Sequence, residues 1–315
     1  MALHEEGRLA AWLSTSAYVA IVIVAWGTNY PLMKLALQDM PPLTFSVVRL
    51  CGGAVVVACI AWMTRSGAVL PQREERLALA CIGILQFASV LGLASVALLF
   101  LPAGRTVTLI YSMSLWAAVF DMWLLKSRLR WIQYAGIACS MSGLLLFLNP
   151  TVVDWGDREA LLGVVLCVIA AVCWGLGAVL YRRRQWASSI WSQTLWQIVA
   201  AGILLLPLAV WMESEIAPRY TSRIMLILVW NWLVPTAIAV WAWSKILVRV
   251  PASVAGQLLM FTPFVGIACS AWIFQEALSL EFVISALLIT LGGVLTLLRC
   301  RSSAHPVAAS DRFGK

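Results

Sequence analysis

Two ionisable side chains, Arg49 and Asp121, stand well inside apolar stretches of this sequence, and each is a candidate for chemistry. A charge within a membrane-spanning helix costs about 2.5–3.5 kcal/mol even on the milder scale, and it normally faces a cavity or a partner. Arg49 lies about 7 Å from the centre of its stretch at 1.5 Å per residue, toward the outer side. Its planar guanidinium suits capture of a carboxylate or other anionic group. The competing reading is an arginine that snorkels to the outer interface. The equivalent position in the second half of the chain is Gln197, so a cavity between the halves is electrostatically asymmetric. Asp121 lies about 10 Å toward the other side, and thus about 17 Å from Arg49 along the membrane normal, too far for a direct pair. Lys245 is closer to it in depth. A buried carboxylate can carry a coupled proton, but a structural pair or an interfacial acid is the favoured reading of Asp121.

Around these charges stands a set of aromatic and amide groups. Trp26, Asn29 and Tyr30 fall at the middle of the first apolar stretch, and their mirror positions are Trp174, Gly177 and Ala178. Tyr111 and Gln257 are mid-stretch polar groups near the same depth, and Trp241 and Trp243 sit in the middle of the eighth stretch. Together with Arg49 and Gln197 these, apart from Ala178, are the candidate cavity-lining residues. Indole and phenol with few amides suit a small amphipathic metabolite or an aromatic ring; the competing reading is that individual tryptophans face lipid or pack between helices. Pro31, Pro207, Pro235 and Pro263 fall within apolar stretches. Proline removes a helix hydrogen bond and bends the helix, so Pro31 and Pro263 are candidate hinges. Both histidines, His4 and His305, are in the tails, and the 8 cysteines contain no C-x-x-C pair. No catalytic residue, metal site or cofactor is expected.

The elements that position these residues follow from composition. The chain of 315 residues is 62% hydrophobic and 11% charged, with a mean hydropathy of +0.92, whereas soluble domains carry about 45–50% apolar and about 25% charged residues. A spanning helix takes about 20 apolar residues. Ten such runs can be marked, at 16–38, 43–64, 77–98, 104–125, 131–149, 161–180, 190–211, 224–245, 252–274 and 282–299, joined by short loops. The first run is expected to remain as a span, since no small-residue cleavage site follows it. With the N-terminus in the cytoplasm, 16 Lys and Arg lie inside, 5 lie outside, and Arg49 lies within a span. That bias sets both termini in the cytoplasm. The net charge of +8 is spread between apolar runs, with no basic face for nucleic acid.

The chain also repeats itself. Trp26-Gly27 recurs as Trp174-Gly175 at an offset of 148, with Lys34 and Arg182 each eight residues after the Trp. Later in each half the offset is 149, where Pro102-Ala103 matches Pro251-Ala252, Trp123 matches Trp272 and Gly143 matches Gly292. An odd number of spans per copy forces opposite orientations. The charges agree, because the basic segment Lys126–Arg130 corresponds to Gln275–Ser279, which has no cation. Inverted repeats with a midplane site between them are a transporter signature. The expected fold is therefore all-α and membrane-embedded, with ten transmembrane helices as two inverted five-helix repeats. A cytoplasmic segment spans 1–15, the first repeat 16–149, an outside linker 150–160, the second repeat 161–299 and a cytoplasmic tail 300–315.

Trp26-Gly27 with Lys34, Pro42 with Arg49, Trp174-Gly175 with Arg182, Pro251-Ala252-Ser253, Pro263 and Glu276 resemble the drug/metabolite transporter superfamily, in its two-repeat EamA branch, over about 16–299. The first copy departs from the pattern where Ser114 and Ser127 stand in place of Pro263 and Glu276, which predicts a straighter fourth helix. The resemblance implies a ten-helix carrier in the inner membrane moving small polar or amphipathic metabolites, such as amino acids, commonly outward. The expected partners are a small-molecule substrate and the bilayer, and the chain is expected to act as a monomer. A non-transporting subunit or sensor is the alternative. An intramembrane lipid-modifying enzyme would need paired carboxylates, a His or a metal cluster. Nor is there a Walker-type phosphate loop for ATP-driven transport.

Overall fold

A computed structural model describes residues 2–64, 70–125, 130–147, 156–249, 259, 261–275 and 278–297. Gln257, Pro251-Ala252-Ser253, Ser127 and Glu276 lie outside the described residues. Each apolar stretch is helical where described. The helices are α1 (Ser14–Ala36), α2 (Pro42–Met63), α3 (Arg73–Phe100) and α4 (Ala103–Leu124), then α5 (Trp131–Phe147), α6 (Arg158–Arg182), α7 (Ile190–Glu213) and α8 (Ser222–Trp243, helical on to Arg249), and finally α9 (Thr262–Phe274) and α10 (Leu280–Leu297). Seven of these, α1–α4 and α6–α8, are long and apolar enough to cross a membrane by themselves.

Helix starts are capped as the sequence dictates. The Asp157 carboxylate accepts from Glu159 and Ala160 N–H at the start of α6, and Ser189 and Thr221 do the same for α7 and α8. The start of α2 has no cap of its own. Its Leu43 and Thr44 N–H groups donate to the Glu213 carboxylate at the end of α7, at 2.9 and 2.7 Å, which satisfies orphan donors with a favourably placed anion.

Five helices depart from regular α geometry, four of them in repeat-related pairs. The helix of α1 is interrupted at Thr28, where Pro31 cannot donate to the Gly27 carbonyl. α6, with Val179 at the position of Pro31, runs unbroken. α3 and α8 carry π-helical stretches that begin at equivalent residues, Ile84 and Trp232. α4 breaks at Ser112 and α9 turns at its counterpart Phe261. The straighter α4 expected from the missing proline is thus not found. The Ser112 hydroxyl donates to the Leu109 carbonyl at 2.6 Å and the Ser114 hydroxyl to the Tyr111 carbonyl at 3.3 Å, and such local bonds compete with the helix ladder.

Packing follows one closed order, α1–α8–α2–α7–α3–α6–α4–α9 and back to α1, with the α5–α10 pair standing outside against α4. Exchanging the repeats, so that α1 becomes α6 and α2 becomes α7, returns the same ring. Close contacts obey the same exchange. A Cβ on Gly27 would lie 2.7 Å from Val265 and 2.9 Å from the Thr262 carbonyl, while one on Gly175 would lie 2.9 Å from Trp116 and 3.0 Å from the Met113 carbonyl. Met113 and Trp116 are the counterparts of Thr262 and Val265. At the α5–α10 crossing the Ser140 hydroxyl donates to the carbonyl of its own counterpart, Ile289. Small residues let these backbones touch, which is how helices associate where lipid offers no hydrophobic contrast. The counterparts Trp123 and Trp272 lie exposed at helix ends, as interfacial indoles do.

Because α1 ends where α2 and α4 begin, two faces can be distinguished: the N-terminal face, where α1, α3, α5 and α7 start and α6 and α8 end, and the opposite face. On the opposite face Arg223 at the start of α8 donates twice to Asp39 Oδ2, at 2.9 and 2.6 Å, in the α1–α2 loop. On the N-terminal face the Glu75 carboxylate at the start of α3 accepts from Ala187 N–H at 2.7 Å and from the Ser188 hydroxyl in the α6–α7 loop. Glu75 and Arg223 are counterparts, as are Asp39 and Ala187. The same joint is built twice with different chemistry.

Candidate functional site

The break in α1 brings Asn29, Tyr30 and Met33 inward as a buried face. Met33 sulfur receives two donors, Arg49 Nη1 from α2 at 3.3 Å and Asn29 Nδ2 at 3.3 Å. The guanidinium nitrogen and the amide nitrogen are therefore within about 7 Å of each other, since both touch one sulfur at 3.3 Å. Arg49 is 8% exposed and Asn29 likewise 8%. A buried guanidinium ordinarily meets a carboxylate or several oxygens. Among the described residues Arg49 has only this thioether, a weak acceptor, as hydrogen-bond partner. Asn29 Oδ1 accepts nothing among them, and the same holds for Asn231 Oδ1 at the head of the α8 π-helical stretch. Arg49 is thus buried and does not snorkel.

Tyr30 continues this group. Its phenol is within electrostatic range of Arg49 and of Tyr111, and Tyr30 and Tyr111 belong to one buried cluster with Cys167 of α6 and Ile267 of α9. Trp174 packs on that cluster and stands 6.4 Å from Phe87. Gly177 admits Gln86 of α3, whose Cγ would be 2.7 Å from a Cβ there. Trp26 joins a second cluster between α1 and α8. Its indole donates to the Pro235 carbonyl, within the π-helical stretch, at 3.0 Å, and its ring lies 6.1 Å from Trp243.

The structure separates the other sequence candidates from this group. Trp241 is 40% exposed and meets Tyr18 edge-on at 5.2 Å, away from Trp243. Gln197 is buried at the α3–α7 crossing, with its backbone against Gly83. Asp121 lies toward the N-terminal face and pairs with Arg182 of α6 at 2.7 Å, not with Lys245. Pro31 sits at the α1 break and Pro263 in the first turn of α9. Met33, Gln86 and Asn231 were missed in the sequence. Polar residues within apolar stretches are a usable signal for the two amides; a methionine carries none.

The counterpart cations Lys34 and Arg182 are held differently on the two faces. At the opposite face the second half of α1 packs against α3 and α4, and Lys34 donates to the Leu101 carbonyl at 3.1 Å and stands 5.3 Å over Phe274. At the N-terminal face Arg182, the counterpart of Lys34, is 42% exposed on its pair with Asp121, which is 20% exposed.

The EamA-like transporter family matches the chain twice, over residues 13–149 and 161–298. An uncharacterized transporter, YoaV of Bacillus subtilis, is 26% identical over 86% of this chain and 92% of its own length. A probable amino-acid metabolite efflux pump of Escherichia coli is 25% identical over 86% of this chain and 90% of its own. A protein of known crystal structure superimposes with a TM-score of 0.64 at 19% identity, covering 90% of this chain and 96% of that one, which shows a shared fold.

Proposed function

The chain belongs to the EamA-like transporter family and is a membrane-embedded transporter, not an enzyme; on that premise we propose that it exports small carboxylate-bearing metabolites, amino acids or related compounds, by alternating access. The observation that carries this reading is Arg49, a permanent cation buried between the repeats with a thioether as its partner among the described residues. A substrate carboxylate would supply the charge-assisted acceptor that Met33 does not. Asn29, Tyr30, Trp26, Tyr111, Trp174 and Trp243 would form the walls, with Pro31 and Pro263 as hinges. The exchange symmetry of the helix ring supports alternation, because each half can adopt the other's packing. The Lys and Arg bias supports an orientation with the N-terminal face in the cytoplasm. The Arg182 pair supports a structural role for Asp121 over proton carriage. Counterflow in liposomes tests the proposal: saturable exchange of labelled amino acids that Arg49→Gln strongly weakens is expected, and flux that is non-saturable or indifferent to Arg49 would overturn it.

A further inference from the structure

The N-terminal face carries a cleft of about 340 Å³ between α3 and α6 that the transport reading does not use. Its walls are Cys81 and Ile82 of α3 and Leu180 of α6, and its rim is Arg183, Arg184 and Trp186. The cleft opens sideways, because Leu77, Cys81 and Ile84 form an exposed stripe at helical spacing along α3. An apolar wall facing the hydrocarbon, with cations and an indole at the water level, is a lipid-shaped environment.

We propose that this cleft binds an anionic phospholipid, its phosphodiester on Arg183 and Arg184 and the upper part of one acyl chain along Cys81 and Leu180. The charges nearby are largely committed elsewhere. Arg182 is held by Asp121, and Glu75 accepts from Ala187 and Ser188 while standing in electrostatic range of Arg184. Arg183 is exposed and forms no ion pair with a carboxylate among the described residues. Arg184 is positioned at the rim by one bond to the Glu74 carbonyl at 2.8 Å and by Trp186, whose ring lies 5.2 Å away. That leaves most of its guanidinium donors directed elsewhere. Basic pockets between membrane helices on the cytoplasmic side recognise such headgroups, at about fivefold in affinity for each arginine.

Cys81 lines the cleft, and Cys51 and Cys59 are exposed on α2, away from it. This permits an internally referenced test on the full-length chain. The protein in maltoside micelles is doped with phosphatidylglycerol or with phosphatidylcholine of the same acyl chains. N-ethylmaleimide modification of each cysteine is then followed by peptide mass spectrometry. Phosphatidylglycerol should slow Cys81 several-fold relative to Cys51 and Cys59, and phosphatidylcholine should not. Arg183→Gln with Arg184→Gln should remove the protection while leaving Cys51 and Cys59 rates unchanged, which also reports that the variant is folded. Equal protection by the two lipids, or protection that survives the double substitution, overturns the proposal. So does equal protection by glycerophosphoglycerol or inorganic phosphate, which would assign the site to a soluble anion.

Discussion

Replacing Arg49 by Gln separates a substrate anchor from a structural cation. Gln is the residue that the second repeat carries at the equivalent position, Gln197. Hydrogen bonds to a charged group contribute about 1.5–3 kcal/mol each. The loss of a two-bond fork to a carboxylate, with one neutral amide bond of about 1 kcal/mol regained, therefore weakens transport by about 2–5 kcal/mol, or at least about 30-fold. Arg49→Lys keeps the charge and loses the fork, so about a tenfold loss is expected. Stability should move the other way. The guanidinium is buried against a single thioether, and neutralising a poorly compensated buried charge is neutral or stabilising. The assay is counterflow of a labelled amino acid and of its decarboxylated amine in liposomes, alongside thermal unfolding in detergent. Loss confined to the carboxylate substrate, with an unchanged or raised Tm, is the expected pair of results. Normal amino-acid counterflow by Arg49→Gln would refute the anchor and shift recognition to Asn29 and the aromatic walls. A collapsed Tm would refute the argument that the cation is poorly compensated. Met33→Leu serves as the control; it keeps the volume but removes the acceptor of two buried donors, so it should lower stability by about 1–3 kcal/mol while leaving transport near normal.

Asp121→Asn breaks the Arg182 pair. Both partners are partly exposed, so the pair contributes only about 0.2–1 kcal/mol, and cysteine accessibility should shift between faces by no more than about fivefold with the pH dependence of flux unchanged. A vanished pH dependence would instead make Asp121 the proton carrier. Hydrogen bonds from Arg223, joined by Thr221, hold the Asp39 carboxyl below its ordinary value. Its contribution to stability is thus present above the unfolded value of about 3.9 and is lost as pH falls through the lower folded one. Asp39→Asn should lower Tm at pH 7, and the difference from the parent should close under acid; a pH-independent gap would mean the loss is steric. At the α5–α10 crossing, a Cβ at position 292 would lie 2.2 Å from the Ser140 hydroxyl and 2.5 Å from the Gly136 carbonyl. Gly292→Ala should therefore destabilise by about 1–3 kcal/mol in thermal unfolding, and an unchanged Tm would show that the crossing can spread. Ser279→Cys should react with an impermeant thiol reagent from outside intact cells, and labelling only after lysis would invert the proposed topology.

The sequence alone determined the class of molecule. Hydropathy marks the apolar stretches because twenty-odd residues must cover the hydrocarbon, and the matched offsets of Trp26 with Trp174 and Gly143 with Gly292 reveal the duplication. An odd number of helices in each copy then fixes their opposite sense. Depth was also legible, since a residue's place along a helix follows from its rise. Azimuth was not. Trp241 and Trp243 are two residues apart, yet one meets Tyr18 at the surface and the other meets Trp26 within. Lipid and protein interior are both apolar, so no periodicity of hydrophobicity marks which side faces in. For the same reason depth favoured Lys245 as the neighbour of Asp121, whereas the ring order places α6 beside α4 and gives it Arg182. Only the tertiary structure interleaves the repeats, aims Arg49 and Asn29 at one sulfur, and clamps Asp39 to Arg223 and Glu75 to Ser188. The two clamps join residues far apart in the chain, and their partners change chemistry between the two copies, so no repeat pattern could announce them.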